Sequence, residues 1–189
     1  DGADITKNKY DEQGNQVEAA NAPYPTVLGS KNVSPLAMAG AYATVANGGK
    51  YCQPKAIDSI TGPNGEAIEP PKTTCEQVIS PEVAATAAYA LQRVMSSGTG
   101  TPSNTWDGTP LIGKTGTDDS FHTSMVESSS KVATAVWVGN YRDRVSIWNN
   151  RINGIQISQI RHKLAPAMQR AANAAYGSSA FPKPDKNLT

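Results

Sequence analysis

The chain has 189 residues, 38% apolar and 17% charged, with a net charge of +1 and a mean hydropathy of −0.44. That is one domain or a piece of one, and a balance so near neutral, with no basic patch, argues against a nucleic-acid partner. No apolar run approaches the roughly 18 residues of a membrane helix, and no targeting sequence opens the chain.

The chain begins with Asp1, not Met, and residues 1 to 29 are polar and loop-like, with Pro23 and Pro25 among them. A self-contained domain seldom opens on so long an unpatterned stretch. The expectation is a segment of a longer protein, with any membrane anchor in missing upstream sequence.

Ser34-Pro35 opens a helix. The serine can cap free N–H groups and the proline fits the first helical position. Leu36, Ala39, Ala43 and Val45 make its expected apolar stripe, and Asn47-Gly48-Gly49 ends it. Tyr51 to Ile60 reads as a strand and Pro63-Asn64-Gly65 as a turn. The return runs through Ala67-Ile68 and Thr74 to Ile79, broken by Pro70-Pro71. Cys52 and Cys75 stand on either side of this hairpin. They are free thiols in a cytosolic protein and a disulfide in an exported one, and two cysteines alone leave the compartment open. Two Cys and two scattered His give no ligand spacing, so neither a metal site nor a cofactor is expected.

Ser80-Pro81-Glu82 repeats the helix-start pattern. The helix carries Val83, Ala87, Leu91 (or Ala90) and Val94 as its stripe and stops at Ser96-Ser97-Gly98. Gly98 to Pro102 is a loop. Leu111 to Thr117 then reads as a short buried strand, His122 to Ser128 as a second, and Lys131 to Val138 as a third. Short connections make the three an antiparallel sheet. A last helix spans about Ile155 to Ala175, with Ile157, Ile160, Leu164, Met168 and Ala171/Ala172 as its buried stripe and Pro166 kinking it or ending its first part. Residues from Gly177 on read as a disordered tail. The division expected is 1–176 for the domain portion and 177–189 for a flexible tail.

The strand Leu111-Ile112-Gly113-Lys114-Thr115-Gly116-Thr117 carries the chemistry. Lys114 supplies positive charge and donors. Thr115 and Thr117 fall on one face and can both hydrogen-bond a carboxylate. Gly116, lacking a Cβ, lets another backbone approach. This suits a strand edge where an anionic substrate lies close to the chain.

With these residues the sequence resembles the penicillin-binding proteins, specifically the transpeptidase domain of the bifunctional (class A) peptidoglycan synthases. Val27-Leu28-Gly29-Ser30, then Val33 to Ala39 and Ala41 to Gly49, carry the most specific part of the likeness. Gly98-Thr99-Gly100-Thr101, Gly113 to Thr117 and Val136-Trp137-Val138-Gly139 carry the rest. The likeness covers the C-terminal half of that domain. It implies an α+β fold of the serine β-lactamase/D,D-transpeptidase type, an antiparallel sheet packed with helices.

The resemblance also implies an activity, peptidoglycan crosslinking by an acyl-serine mechanism that β-lactams trap. Lys114 and Thr117 would then be catalytic, and Thr115, Gly116 and Thr117 substrate-binding. The partners implied are peptidoglycan stem peptides, β-lactams and the N-terminal remainder of the domain, which carries S-x-x-K and S-x-N. The place implied is the extracytoplasmic face of a bacterial membrane, in the cell wall. A Cys52–Cys75 disulfide is expected there, contributing about 3 kcal/mol in the chain-entropy model.

Two segments imitate the missing motifs. Ser128-Ser129-Ser130-Lys131 fits S-x-x-K, but it follows the Lys114 motif and falls in a hairpin turn. Ser30-Lys31-Asn32 fits S-x-N, but it stands in the segment before the Ser34 helix. The chain is therefore expected to supply the K-T-G strand without the nucleophilic serine, and to be inactive alone. After K-T-G-T the family has an aromatic pair, where this chain has Phe121-His122-Thr123-Ser124. His122 reads as a solvated turn residue, with the cleft mouth as its alternative, and His162 as surface. Asp118-Asp119 reads as a solvated turn, and Trp106, Trp137 and Trp148 as packing residues. The competing functions are a non-catalytic penicillin-binding-like module and a serine β-lactamase.

Overall fold

The computed structural model describes residues 32–118, 120–140, 142–184 and 186; the loop reading of residues 1 to 29 lies outside them. Helix α1 (Pro35–Ala46) starts where Ser34-Pro35 puts it, with the Ser34 hydroxyl accepting from Ala37 N at 3.1 Å. Past its end the chain turns through Gly49, at φ 85°. A Cβ there would lie 2.1 Å from the Ile79 carbonyl oxygen, so no side chain fits. The stripe expected on α1 holds in part: Val45 meets the core, joined by Tyr42 and Ala46, but Leu36 and Ala43 are exposed and Thr44 is buried.

The strand expected from Tyr51 to Ile60 is two short pieces, β1 (Lys50–Cys52) and β2 (Ile60–Thr61). Pro54 lies between them and offers the ladder no N–H. The return is likewise split into β3 (Ala67–Ile68) and β4 (Cys75–Gln77), on either side of Pro70-Pro71. β1 pairs with β4 and β2 with β3, both antiparallel. The first register sets Cys52 opposite Cys75, and the two form a disulfide with Cα atoms 4.1 Å apart.

Helix α2 (Pro81–Ser97) is capped by Ser80, with Glu82 in its first turn against the positive end of the helix dipole. Ala84, Ala85, Ala88 and Met95 are its buried residues; of the expected stripe Leu91 packs against the core, whereas Val83 is exposed. A 3-10 turn follows at Thr101–Ser103.

Strands β5 (Ile112–Asp118), β6 (His122–Ser128) and β7 (Ala133–Gly139) form the antiparallel sheet in the order β5-β6-β7. Each face of this sheet carries a core. On one side Ile112 meets Ala88, Tyr42, Val45 and Phe181. On the other, Met125 and Val136 meet Met95, Leu111 and Ala165. Phe181 corrects the expectation of a disordered tail, since the chain past α3 returns to the core. There Ser179 donates its N–H to Ser130 Oγ at 2.7 Å.

An unforeseen hairpin, β8 (Arg151–Ile152) and β9 (Ile155–Gln156), precedes the last helix. Its turn is Asn153-Gly154, both at positive φ, the pairing that two-residue hairpins favour. Helix α3 (Ile157–Tyr176) runs on through Pro166, which does not end it. Its buried face is Ser158, Arg161, Ala165, Gln169 and Asn173, whereas Leu164 and Met168 are 46% and 47% exposed. The expected apolar stripe is thus rotated off the sheet, and polar side chains with distant partners take its place.

Candidate active site

Lys114, Thr115, Gly116 and Thr117 occupy the middle of β5, an outer strand of its sheet. Leu111, Ile112 and Gly113 are buried, whereas Lys114 and Thr117 are exposed. The expectation of a buried strand therefore holds only for its lead-in. Alternation splits the four residues between the faces. Lys114 and Gly116 lie in register with Val126 and Ser124 and then Ala135 and Trp137. Thr115 and Thr117 lie in register with Met125 and Thr123 and then Val136 and Val138.

A cleft of about 530 Å³ opens beside the strand. Lys114 to Asp118 line it, with Asn32 and Val33 from the segment before α1, Met38 from α1, and His122, Ser124 and Trp137 from the sheet. Lys114 Nζ donates to its neighbour's carbonyl oxygen, Thr115 O, at 2.9 Å. A Cβ on Gly116 would come within 2.4 Å of Ser124 Oγ. What Gly116 admits is thus the Ser124 hydroxyl and not another backbone. A second cavity, of about 350 Å³, lies between the end of α1 and the β6–β7 turn and shares no lining residue with the cleft.

Both threonines border the cleft, and each hydroxyl already has a partner. Thr115 Oγ1 is 2.8 Å from Thr99 Oγ1, which brings the Gly98–Thr101 segment onto the strand. Thr117 Oγ1 accepts from Arg161 Nη1 at 3.3 Å, and the same nitrogen donates to Gly116 O at 2.7 Å. The sequence reading missed Arg161 because it fell one position past Ile160, off the stripe expected to be buried. It also placed His162 at the surface. The imidazole is half-buried, its Nδ1 2.7 Å from Ser103 Oγ and its Nε2 accepting from Arg161 Nε at 3.0 Å. Burial and the Arg161 charge hold His162 down to about 4.

Further along α3 the polar seam continues. Gln169 accepts from Thr134 Oγ1 at 2.8 Å and donates to Asn173 Oδ1 at 2.9 Å. Asn173 Nδ2 donates to Asp107 Oδ2 at 3.2 Å. Burial pushes the Asp107 carboxyl up, but hydrogen bonds from Thr109, Thr105 and Asn173 outweigh it and hold it at about 2. Glu127, on β6, is fully buried, and neither carboxyl oxygen has a hydrogen-bond partner.

Several other expectations change here. His122 is the first residue of β6 and no turn residue; its ring centroid lies 5.2 Å from that of Trp137, at the cleft. Trp106, Trp137 and Trp148 are all exposed and fill no core among the described residues. Asp118 ends β5, with Oδ2 3.7 Å from His122 Nδ1. In the S-x-x-K imitation, Ser128 Oγ donates to Ser129 O at 2.6 Å, and Ser129 Oγ accepts from the N–H groups of Lys131 and Val132 at 3.2 Å each. Both serines are buried and hold the turn. Of the S-x-N imitation, Ser30 and Lys31 lie outside the described residues, and Asn32 lines the cleft.

Comparison with known proteins gives a consistent result. Residues 4–148 match the family described as the penicillin binding protein transpeptidase domain. The chain is 35% identical over 117 residues to penicillin-binding protein 1A of Aquifex aeolicus, covering 61% of this chain and 16% of that protein. To penicillin-binding protein 1F of Bacillus subtilis it is 36% identical over 116 residues, 58% of this chain and 16% of that one. The fold superposes on PonA1 of Mycobacterium tuberculosis in complex with penicillin V, with a TM-score of 0.71 and 25% identity, over 93% of this chain and 46% of that chain. The chain thus spans about a sixth of these curated relatives and about half of the structural one.

Proposed function

The chain belongs to the penicillin-binding protein transpeptidase domain family, and we propose that it supplies the K-T-G strand of a peptidoglycan D,D-transpeptidase at the outer face of a bacterial membrane. The observation that carries this reading is the exposed Lys114–Thr117 segment of an outer strand, bordering a cleft large enough for a peptide. The donor stem peptide would lie along β5 as an added strand.

In this reading a serine outside these 189 residues attacks the carbonyl of the D-Ala-D-Ala bond. An ester to the serine forms, the C–N bond breaks, and the serine's proton passes to the departing D-Ala amine. An amine of a neighbouring stem then takes the acyl group, which closes the crosslink and returns a proton to the serine. The Thr115 and Thr117 hydroxyls bind the donor's terminal carboxylate. The Thr117 N–H is one oxyanion donor and the serine's own N–H the other. Lys114 lends positive potential and polarises the serine of the S-x-N motif, which assists the proton's transfer. β-Lactams enter the same route and stop at the acyl-enzyme.

Acylation of a protein carrying the complete domain tests this. Lys114→Ala and Thr117→Val should each lower the second-order rate with benzylpenicillin by about tenfold or more. Unchanged rates would refute the assignment. Prompt hydrolysis of the penicilloyl group would move the reading to a β-lactamase.

A further inference from the structure

Arg161 has no part in the mechanism above, yet its placement bears on it. The guanidinium reaches from α3 to the far side of the K-T-G strand and is 9% exposed. Nη1 donates to Gly116 O at 2.7 Å and to Ser124 O and Thr117 Oγ1 at 3.3 Å each. Nε is held by His162 Nε2 at 3.0 Å, and His162 is in turn anchored at 2.7 Å by the fully buried Ser103 hydroxyl. Because Nε2 accepts, the ring proton sits on Nδ1 and is given to Ser103. The tautomer follows from the network.

Two consequences follow. A guanidinium only donates, so at Thr117 it occupies an acceptor site of the hydroxyl. The hydroxyl's one proton is then directed elsewhere, and the oxygen serves its second partner as a donor. In addition, the ion pairs among the described residues include none to Arg161. A cation this far from solvent, ringed by neutral carbonyls, favours an anion nearby.

We propose that Arg161, braced by His162 and Ser103, is a positioning residue that makes Thr117 selective for an anionic terminal carboxylate over a neutral group. This rests on the transpeptidase reading and names the feature of substrate and β-lactam that the strand selects. Arg161 itself acts through Thr117.

The test compares benzylpenicillin with its methyl ester, which keeps the β-lactam and removes the charge, on a protein with the complete domain. Arg161→Met should lower acylation by the acid about tenfold or more and by the ester less than about twofold. In a Thr117→Val background the same change should cost the acid less than about twofold, because the two side chains act as one unit. Equal losses with acid and ester would reduce Arg161 to structural support and overturn the proposal. So would losses that simply multiply in the double variant. If Arg161→Met does not fold, Arg161→Lys replaces it. A lysine cannot hold Gly116, Thr117 and His162 together, so the acid-to-ester ratio should fall at least about threefold, and an unchanged ratio overturns the proposal. The transpeptidase reading fails separately, if the unaltered protein takes no penicilloyl group or Thr117→Val alone is silent.

Discussion

Nη1 of Arg161 donates to the carbonyl oxygen of Gly116 across 2.7 Å and joins the last helix to the K-T-G strand. The contact belongs to a polar seam between α3 and the sheet, where Arg161, Gln169 and Asn173 take positions that an apolar stripe would ordinarily fill. Each of these side chains is matched by a partner far away in sequence, which is what makes their burial tolerable.

Glu127 on β6 lacks such a match, as does the Ser158 hydroxyl on α3. The Glu127 carboxyl is pushed up to about 8, by burial first, against a smaller opposing pull from the Arg170 charge. Below pH 4.5 the folded and unfolded chains both hold this proton. Between about 4.5 and 8 the folded chain keeps it and the unfolded chain loses it, so stability falls as pH rises. Glu127→Gln should remove that slope and gain on the order of 2–4 kcal/mol over the parent at pH 8. Urea unfolding at pH 5, 6.5 and 8 measures it; parallel pH profiles for the two proteins would contradict it.

His162 acts in the opposite sense. Its folded value of about 4 lies below the ordinary 6.5, so the unfolded chain takes up a proton first as pH falls. The stability it contributes is whole above pH 6.5 and is lost as pH drops through the folded value. His162→Gln keeps an acceptor for Arg161 Nε and should flatten the acid limb between pH 6.5 and 4. A limb as steep as the parent's would place the acid sensitivity elsewhere.

The Cys52–Cys75 bond closes a 23-residue separation in the β1–β4 hairpin, and Cys52 lines the second cavity rather than the cleft. Replacing both cysteines by alanine should cost about 3 kcal/mol. Acylation by benzylpenicillin should stay within about twofold of the parent. Thermal melting with and without reductant, beside the acylation rate, checks both halves.

Phe181 returns to the core beside Ala88 and Ile112. Phe181→Ala should destabilise the protein by about 3 kcal/mol. A flexible tail would make the substitution silent in a melt.

Local rules read much of this chain. The Ser34-Pro35 and Ser80-Pro81 starts and the three strands around Lys114 follow from caps, alternation and turns within a few residues, whereas the Cys52–Cys75 bond, 23 residues apart, was expected only from the family resemblance. What escaped was set by distant partners. Periodicity alone put Leu164 and Met168 inside α3, but Thr134, Gly116 and Asp107 supply hydrogen bonds that only a polar face can meet. Phe181 follows a run of small polar residues and carries no pattern of its own. Asn153-Gly154, by contrast, was a legible turn signal that a helix start at Ile155 passed over.

In the function proposed above, this chain provides the strand against which another segment's serine is acylated. Peptide mapping of a benzylpenicillin-treated protein with the complete domain, by mass spectrometry, tests it most directly. The expected result is one penicilloyl group, on a serine outside these 189 residues, and its loss or marked slowing in Lys114→Ala. An adduct on Ser128, Ser129 or any other serine of this chain would contradict it, as would a folded protein that takes no adduct.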